Sequence, residues 1–346
     1  MIFGNCMRIL VVHAWLRGNL GDVLQLSVLL SALRELKPRA LDLAGFPARP
    51  ADEAAEVLAL SDHYVAEPFA WYWNVSPKLV GKLLLEPLWR KRREALFSRY
   101  DAIVCAPGPY LADYDARAPS ALCDITVASG LGLPVVLSSH SIGPLQPEAL
   151  AAVAKVTVRI AREPSTHAYL RERGISCSLS ADLAFLYPYP EQTAPGSVEP
   201  PYHLVFLRSN NLDASALRLE DGALFEGSRL IAEASNDRLV LATSDYRRDQ
   251  RFLSIAARRL GVSWVGCRRV TELVQLVAGS SGVVSDRYHP AICAAVLGKP
   301  AQVLSNREPH KMQGLKHLLA DHTLHELQEL ARAGLGTLRD GLRGVA

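Results

Sequence analysis

The chain has 346 residues, 49% of them hydrophobic and 21% charged, with a formal net charge of +3. Such a chain can bury the cores of two domains and is not disordered; its charge is too slight to argue for nucleic acid. No apolar run reaches the roughly 18 residues of a membrane-spanning helix, and residues 1–12 are too short for a signal peptide, so a cytoplasmic protein is expected. The six cysteines (Cys6, Cys105, Cys123, Cys177, Cys267 and Cys293) are scattered, with no C-x-x-C pair. Neither a metal cluster nor a disulfide framework is indicated, and reduced core cysteines are expected.

Residues 8–13 form a β-branched run that reads as a buried parallel strand. Arg17-Gly-Asn-Leu-Gly-Asp22 follows, then Val23, Leu26, Leu29, Leu30 and Leu33 at helical spacing, giving the first half of a βαβ unit. Gly18 and Gly21 let backbone approach a ligand, and Asp22 is placed to cap the helix or bind a substrate hydroxyl. The glycine spacing matches neither the dinucleotide fingerprint nor the P-loop. Residues 41–46 are a second strand and 53–60 a short helix. Phe69, Trp71, Tyr72 and Trp73 cluster in a loop before an amphipathic helix. Its apolar side carries Leu79, Val80, Leu83, Leu84, Leu88 and Trp89; its polar side carries Lys78, Lys82, Arg90, Lys91, Arg92 and Arg93. Aromatics beside a basic helix suit an anionic surface, which makes residues 77–99 a candidate peripheral membrane contact. The plain alternative is a solvated helix packed on the sheet.

Residues 101–105 are a further buried strand, ending in the rigid loop Ala106-Pro-Gly-Pro-Tyr110. The strand from residue 134 runs into Ser139, His140, Ser141 and Gly143, placing His140 and Ser141 on the sheet's carboxyl edge. The strand from residue 158 brings Arg162 or Glu163 to that edge, with Ser165 capping a helix through Leu170. The proline-dense stretch before Pro201 reads as a linker. It divides the chain into an N-terminal domain over 1–190, a linker over 191–201 and a C-terminal domain over 202–346. The second half offers strands at 203–208, 238–244, 263–265, near Val283 and Val284, and at 301–304. Helices are expected at 226–235, 251–260 and 271–278, the last capped by Thr271, and over the small residues from Ala291 to Leu297. Strand and helix alternate in both halves, so the fold class is α/β, two doubly wound parallel-sheet, Rossmann-like domains facing a cleft. Such a cleft is the expected site.

Ser285-Asp-Arg-Tyr-His289 falls where a strand becomes a helix. Ligands bind at that edge in open α/β sheets, and a helix N-terminus there favours an anion. The fork of Arg287 suits a phosphate or carboxylate, and the imidazole of His289 can move a proton. A surface arginine and a packed histidine are the plain alternative.

One ordered set of motifs then stands out: Gly18-Asn19-Leu20-Gly21-Asp22; Ser141-Ile142-Gly143-Pro144; Ala161-Arg162-Glu163; Asp182-Leu-Ala-Phe185; Leu207-Arg208; Thr243-Ser244-Asp245; Asp286-Arg287-Tyr288-His289; Gly298-Lys-Pro300; and His310-Lys311. This succession resembles the polysaccharide pyruvyl transferase family over roughly residues 8–320. The resemblance implies a glycosyltransferase-B-like fold, phosphoenolpyruvate as co-substrate, and a sugar hydroxyl pair of a surface glycan or its precursor as acceptor; with no metal-ligand cluster in the sequence, no metal or other cofactor is expected. A lipid-linked oligosaccharide is among the candidate acceptors. On this pattern the N-terminal domain takes the acceptor, through Gly18, Asn19, Gly21 and Ser141. The C-terminal domain takes the donor, through Arg287, Arg208 and Tyr288, with Arg162 added from the first domain. His289, His140 and Asp22 are the candidate proton-transfer groups. The chain departs from the pattern at Ala106-Pro-Gly-Pro-Tyr110, where relatives carry glycines, at Glu163-Pro164 and at Tyr288. A nucleotide-sugar glycosyltransferase of the same architecture and a non-catalytic glycan-binding member are the competing readings.

Overall fold

The computed structural model describes residues 7–46, 54–66, 79–115, 117–190, 198–210, 212–233, 237–304 and 309–344, without the side chains of 79–86, 309 and 310. The aromatic cluster at residues 69–73 and most of the expected linker therefore lie outside the described residues. The chain divides into two compact units. The first holds Met1–Arg17, Gln25–Leu186 and Leu327–Ala346; the second holds Gly18–Leu24 and Tyr187–Glu326.

The first unit is built on β1 (Arg8–Trp15), β2 (Ala40–Phe46), β3 (Tyr64–Ala66), β4 (Ala102–Cys105), β5 (Gly108–Leu111), β6 (Val135–Ile142), β7 (Val158–Ala161) and β8 (Ser178–Leu179). These form one sheet in the order β3-β2-β1-β4-β6-β7-β8, with β5 paired to β6 beyond β4, and every pairing is parallel. Its helices are α1 (Leu20–Arg34), whose first residues are grouped with the other unit, then α2 (Ala55–Leu58), α3 (Leu79–Phe97), α4 (Ala118–Gly130), α5 (Pro147–Ala154) and α6 (Pro164–Arg171). Helices on both faces bury the central strands completely, which is why Ile9, Leu10, Val11 and Val12 form an unbroken apolar run and not an alternating one. Gly108, expected in a rigid loop, instead begins β5 and pairs with His140. Ser165 does not cap α6: Glu163 holds the N-cap position and Pro164 follows at the first helical position, where its missing N–H costs nothing.

Helix α3 departs from the expected two-sided pattern. Leu88, assigned to the apolar side, is half exposed, whereas Arg93, assigned to the polar side, is buried. Arg93 pairs with Asp124, Nη2 to carboxylate oxygen at 2.8 Å, and its guanidinium lies 4.4 Å from the centre of the Trp89 ring. A buried carboxylate on α4 thus draws the arginine inward.

The second unit contains β9 (Tyr202–Phe206), β10 (Leu217–Glu220), β11 (Ala223–Glu226), β12 (Arg229–Glu233), β13 (Arg238–Thr243), β14 (Ser263–Gly266), β15 (Gly282–Ser285) and β16 (Ala301–Val303). A parallel sheet runs β14-β13-β9-β15-β16. Its helices are α7 (Tyr246–Leu260), α8 (Val270–Ala278), α9 (Tyr288–Val296) and α10 (Pro309–Asp321); α11 (Leu324–Arg343) closes the chain and joins the first unit from Leu327 onward. The helix expected over 226–235 is absent. Strands β10, β11 and β12 make a three-stranded antiparallel sheet there. Asp221 and Gly222, both at positive φ (47° and 79°), supply the tight turn between β10 and β11. Leu217, Leu224 and Ile231 pack this sheet on the same core as Leu253 and Ala256 of α7. Helix α8 begins one residue earlier than expected, with Arg269 and not Thr271 at its N-cap.

Candidate functional site

In the second unit, β9, β13 and β15 end side by side and deliver Arg208, Asp245 and Arg287 to one edge. The hub of this edge is Asp249, fully buried in the first turn of α7. It accepts from the Thr243 hydroxyl at 2.9 Å, from the Ser209 N–H at 3.1 Å and from Nη2 of Arg287. The Nη1 of Arg287 lies 3.7 Å from Asp245. Arg287 is therefore a buried, oriented cation and not a loose surface one. Its backbone is fixed as well: its N–H donates to Ser285 Oγ at 3.0 Å, and its carbonyl accepts from the same hydroxyl at 2.7 Å. Burial pushes the Asp245 carboxyl up from its ordinary value; Asp249 and Asp22 push the same way, against Arg287 and Arg248.

The segment Gly18–Leu24 joins this edge directly. Asn19 bridges Asp245 in antiparallel fashion, and the Leu20 N–H donates to the Ser244 carbonyl at 2.9 Å. Asn19, not Asp22, caps α1: its Oδ1 accepts from the Gly21 N–H at 3.2 Å, while its Nδ2 donates to Asp22 at 2.9 Å. Gly21 is required by contact. A Cβ there would sit 1.8 Å from Nδ1 of His289, so the imidazole lies flat against the glycine. Gly18 has φ +77°, the left-handed region. Tyr288 is buried, its ring edge-on to His289 and 5.4 Å from Nζ of Lys311. Arg208 donates its N–H to Asp286 at 3.0 Å. Of the sequence candidates, Gly18, Asn19, Gly21, Asp22, Arg208, Arg287, Tyr288 and His289 thus share one unit. Sequence reasoning missed Asp249; the signal was a lone acid among arginines, one helical turn after Asp245.

The first unit holds the other three candidates in internal networks. Arg162 is fully buried. Its guanidinium donates to Asp182 at 2.8 Å, to Ser141 at 2.7 Å and to Gln25 at 3.1 Å, with Glu163 at 3.3 Å. Ser141 is spent in the same network, donating to Glu163 at 2.9 Å. His140 lies inside β6, fully buried, with Nε2 2.9 Å from the Tyr110 hydroxyl. Burial, then Arg162, lowers its pKa to about 3, which favours the uncharged imidazole near neutrality. The neighbouring His13, unmarked by any motif, sits at φ +63° at the end of β1, with Nε2 3.3 Å from Asp124. Burial, then Arg93 and Arg117, lowers its pKa to about 3 too.

These two imidazoles make stability depend on pH in the acid range. Each protonates near pH 6.5 when unfolded but only near pH 3 when folded. Stability is therefore complete above about pH 6.5 and falls as pH drops through that window, by up to about 1.4 kcal/mol per pH unit for each histidine. Guanidinium unfolding at pH 7, 6 and 5 checks this. His140→Phe, which leaves the Tyr110 hydroxyl on the Ala106 carbonyl, is expected to remove about half of the slope. A flat profile would exclude the buried neutral histidines.

Among the described residues no group of acids, histidines and cysteines is arranged to hold a metal, and no helix is long and apolar enough to cross a membrane. The fold is similar to S. aureus MnaA in its UDP co-structure, at 12% identity over 94% of this chain and 91% of that one, with a TM-score of 0.56. UDP-N-acetylglucosamine 2-epimerase from Rickettsia bellii gives 12%, 98%, 97% and 0.55. Anabaena HepE with UDP and glucose gives 13%, 98%, 97% and 0.50. At these identities the likeness concerns the glycosyltransferase-B-like fold alone. No curated protein matches the sequence. The model of one family, by contrast, matches residues 19–308, a span that includes Asn19, Asp245, Asp249, Arg287 and His289. The chain belongs to the polysaccharide pyruvyl transferase family.

Proposed function

We propose that the protein moves the pyruvyl group of phosphoenolpyruvate onto two hydroxyls of a sugar in a surface glycan or its precursor, leaving a pyruvate ketal. The observation that carries this reading is the meeting of Arg287, His289 and the Gly18–Asp22 turn in one unit. Phosphoenolpyruvate brings a phosphate and a carboxylate. Arg287 stands at the N-cap of α9, whose first N–H groups and dipole favour an anion. Its Nε has no hydrogen-bond partner among the described residues, and in this reading it takes a donor oxygen. Arg208 and Lys311 add positive charge at the edge.

Protonated His289 gives its proton to the methylene carbon of phosphoenolpyruvate, and the C2 centre gains oxocarbenium character. One sugar hydroxyl bonds to C2 and loses its proton to Asp22. The C2–O bond to phosphate then breaks, the second hydroxyl closes the ketal, and its proton leaves with inorganic phosphate or solvent. His140 takes no part, since it is neutral and enclosed.

Calorimetry with phosphoenolpyruvate tests the reading. Wild type is expected to bind saturably, and Arg287→Lys, which keeps the charge but loses the fork, to bind at least about tenfold more weakly. His289→Ala is expected to keep binding and lose about 100-fold or more in turnover. Binding of a nucleotide sugar without phosphoenolpyruvate would overturn the proposal in favour of a glycosyltransferase.

A further inference from the structure

We propose that the exposed face of α7 holds an acidic glycan, the carboxylate-bearing product of the reaction proposed above, on which reading this inference rests. Helix α7 buries Asp249, Leu253, Ala256 and Ala257. On its other side Arg247, Arg248, Arg251, Ile255, Arg258 and Arg259 are all exposed. At about 100° per residue these six fall within one stripe roughly 120° wide, and from Arg247 to Arg258 it runs about 16 Å. Among the described residues Arg248, Arg251, Arg258 and Arg259 form no ion pair. The stripe therefore presents positive charge outward and is not a lattice of internal salt bridges.

Helix stability accounts for only half of it. Arg258 and Arg259 occupy the last turn, where the helix dipole favours cations. Arg247 and Arg248 occupy the first turn, where the dipole opposes them. There Asp245 at the N-cap and Asp249 in the same turn already supply negative charge, so the outward-facing positive charge rests chiefly on Arg251, Arg258 and Arg259.

The chemistry of the stripe selects among anions. Every cation on it is arginine, whose planar fork pairs two N–H groups with the two oxygens of a carboxylate. The charges form a line and not a broad plane, and Asp213 lies close enough to Arg259 to feel its field. Ile255, about half exposed, is the lone apolar residue of the stripe. A lipid surface gains much of its hold from buried apolar area, which this face lacks. A linear polymer with a carboxylate at intervals fits both the line and the forks. Each pyruvate ketal adds one such carboxylate, so an already modified stretch of glycan gains affinity for the face and stays with the enzyme while the next sugar is presented.

The test uses the full chain with sodium alginate as a soluble carboxylated glycan, neutral dextran of similar size, and vesicles of phosphatidylcholine with phosphatidylglycerol. Wild type is expected to bind alginate and not dextran, with affinity falling steeply as salt rises past about 0.15 M. Arg251→Gln/Arg258→Gln/Arg259→Gln, all on the exposed side, is expected to lose at least about tenfold in alginate affinity while binding phosphoenolpyruvate as wild type does. Equal alginate binding by the variant would overturn the proposal. So would wild-type binding to anionic vesicles with none to alginate, which would mark the face as a membrane contact. Alginate binding lost in the variant, with no phosphoenolpyruvate binding by wild type, would reject the proposed reaction and leave the polyanion face standing.

Discussion

Arg162→Met is expected to destabilise the first unit by about 3–5 kcal/mol, because it strands Asp182 and Glu163 as buried carboxylates without their cation. Both acids are essentially inaccessible, and the arginine is the group that pairs with them. Adding Asp182→Asn and Glu163→Gln to Arg162→Met is expected to restore part of the loss, since it removes the stranded charges with little change of shape. Guanidinium unfolding of the three proteins decides the matter. A loss below about 1 kcal/mol, or no recovery in the triple variant, would refute the network as described. The sequence expectation that Arg162 binds the donor predicts the opposite pattern: stability untouched and phosphoenolpyruvate affinity lost.

Gly21→Ala is expected to lower turnover by about 100-fold or more with little change in stability. The new methyl group would occupy the position of the His289 ring, 1.8 Å from Nδ1, so the imidazole must move by more than a hydrogen bond tolerates. Alanine is otherwise favoured over glycine inside a helix by about 1 kcal/mol, which offsets part of the cost of that movement. Steady-state kinetics beside a thermal melt separates the two effects. Full activity would show that His289 does not depend on this seat. Loss of folding would show that the seat is structural.

Much of this architecture was legible in the order of residues. Apolar β-branched runs ending in Gly, Asp or Arg marked the parallel strands, because strands buried on both faces cannot alternate. Arg287 and His289 could be placed at a strand-to-helix junction for the same reason. What failed was of two kinds. The hairpins of residues 217–233 were overlooked because their strands are short and half polar, so only the Asp221-Gly222 turn declared them. The burial of Arg162, Ser141 and His140 was not legible because a carboxyl-edge position says nothing of depth. Each sits within reach of the edge in sequence, yet each is walled in by Asp182, Glu163 or Tyr110, which come from distant segments. Asp249 was missed for the converse reason: its partners Thr243, Ser209 and Arg287 are brought to it by three different strands.

The membership of Gly18–Leu24 in the second unit, and of Leu327–Ala346 in the first, bears on how the protein is made. A ribosome adding about 5–20 residues per second delivers Gly21 roughly 13–54 s before His289. For most of that interval the early turn lacks the Ser244 carbonyl, and throughout it lacks the imidazole it will support. The first unit, for its part, lacks α11 until the residues from Leu327 onward have been made. Neither half is contiguous in the order of synthesis, so each waits for a segment made on the far side of the other, and fragments cut at the proline-rich stretch each lack a piece of themselves.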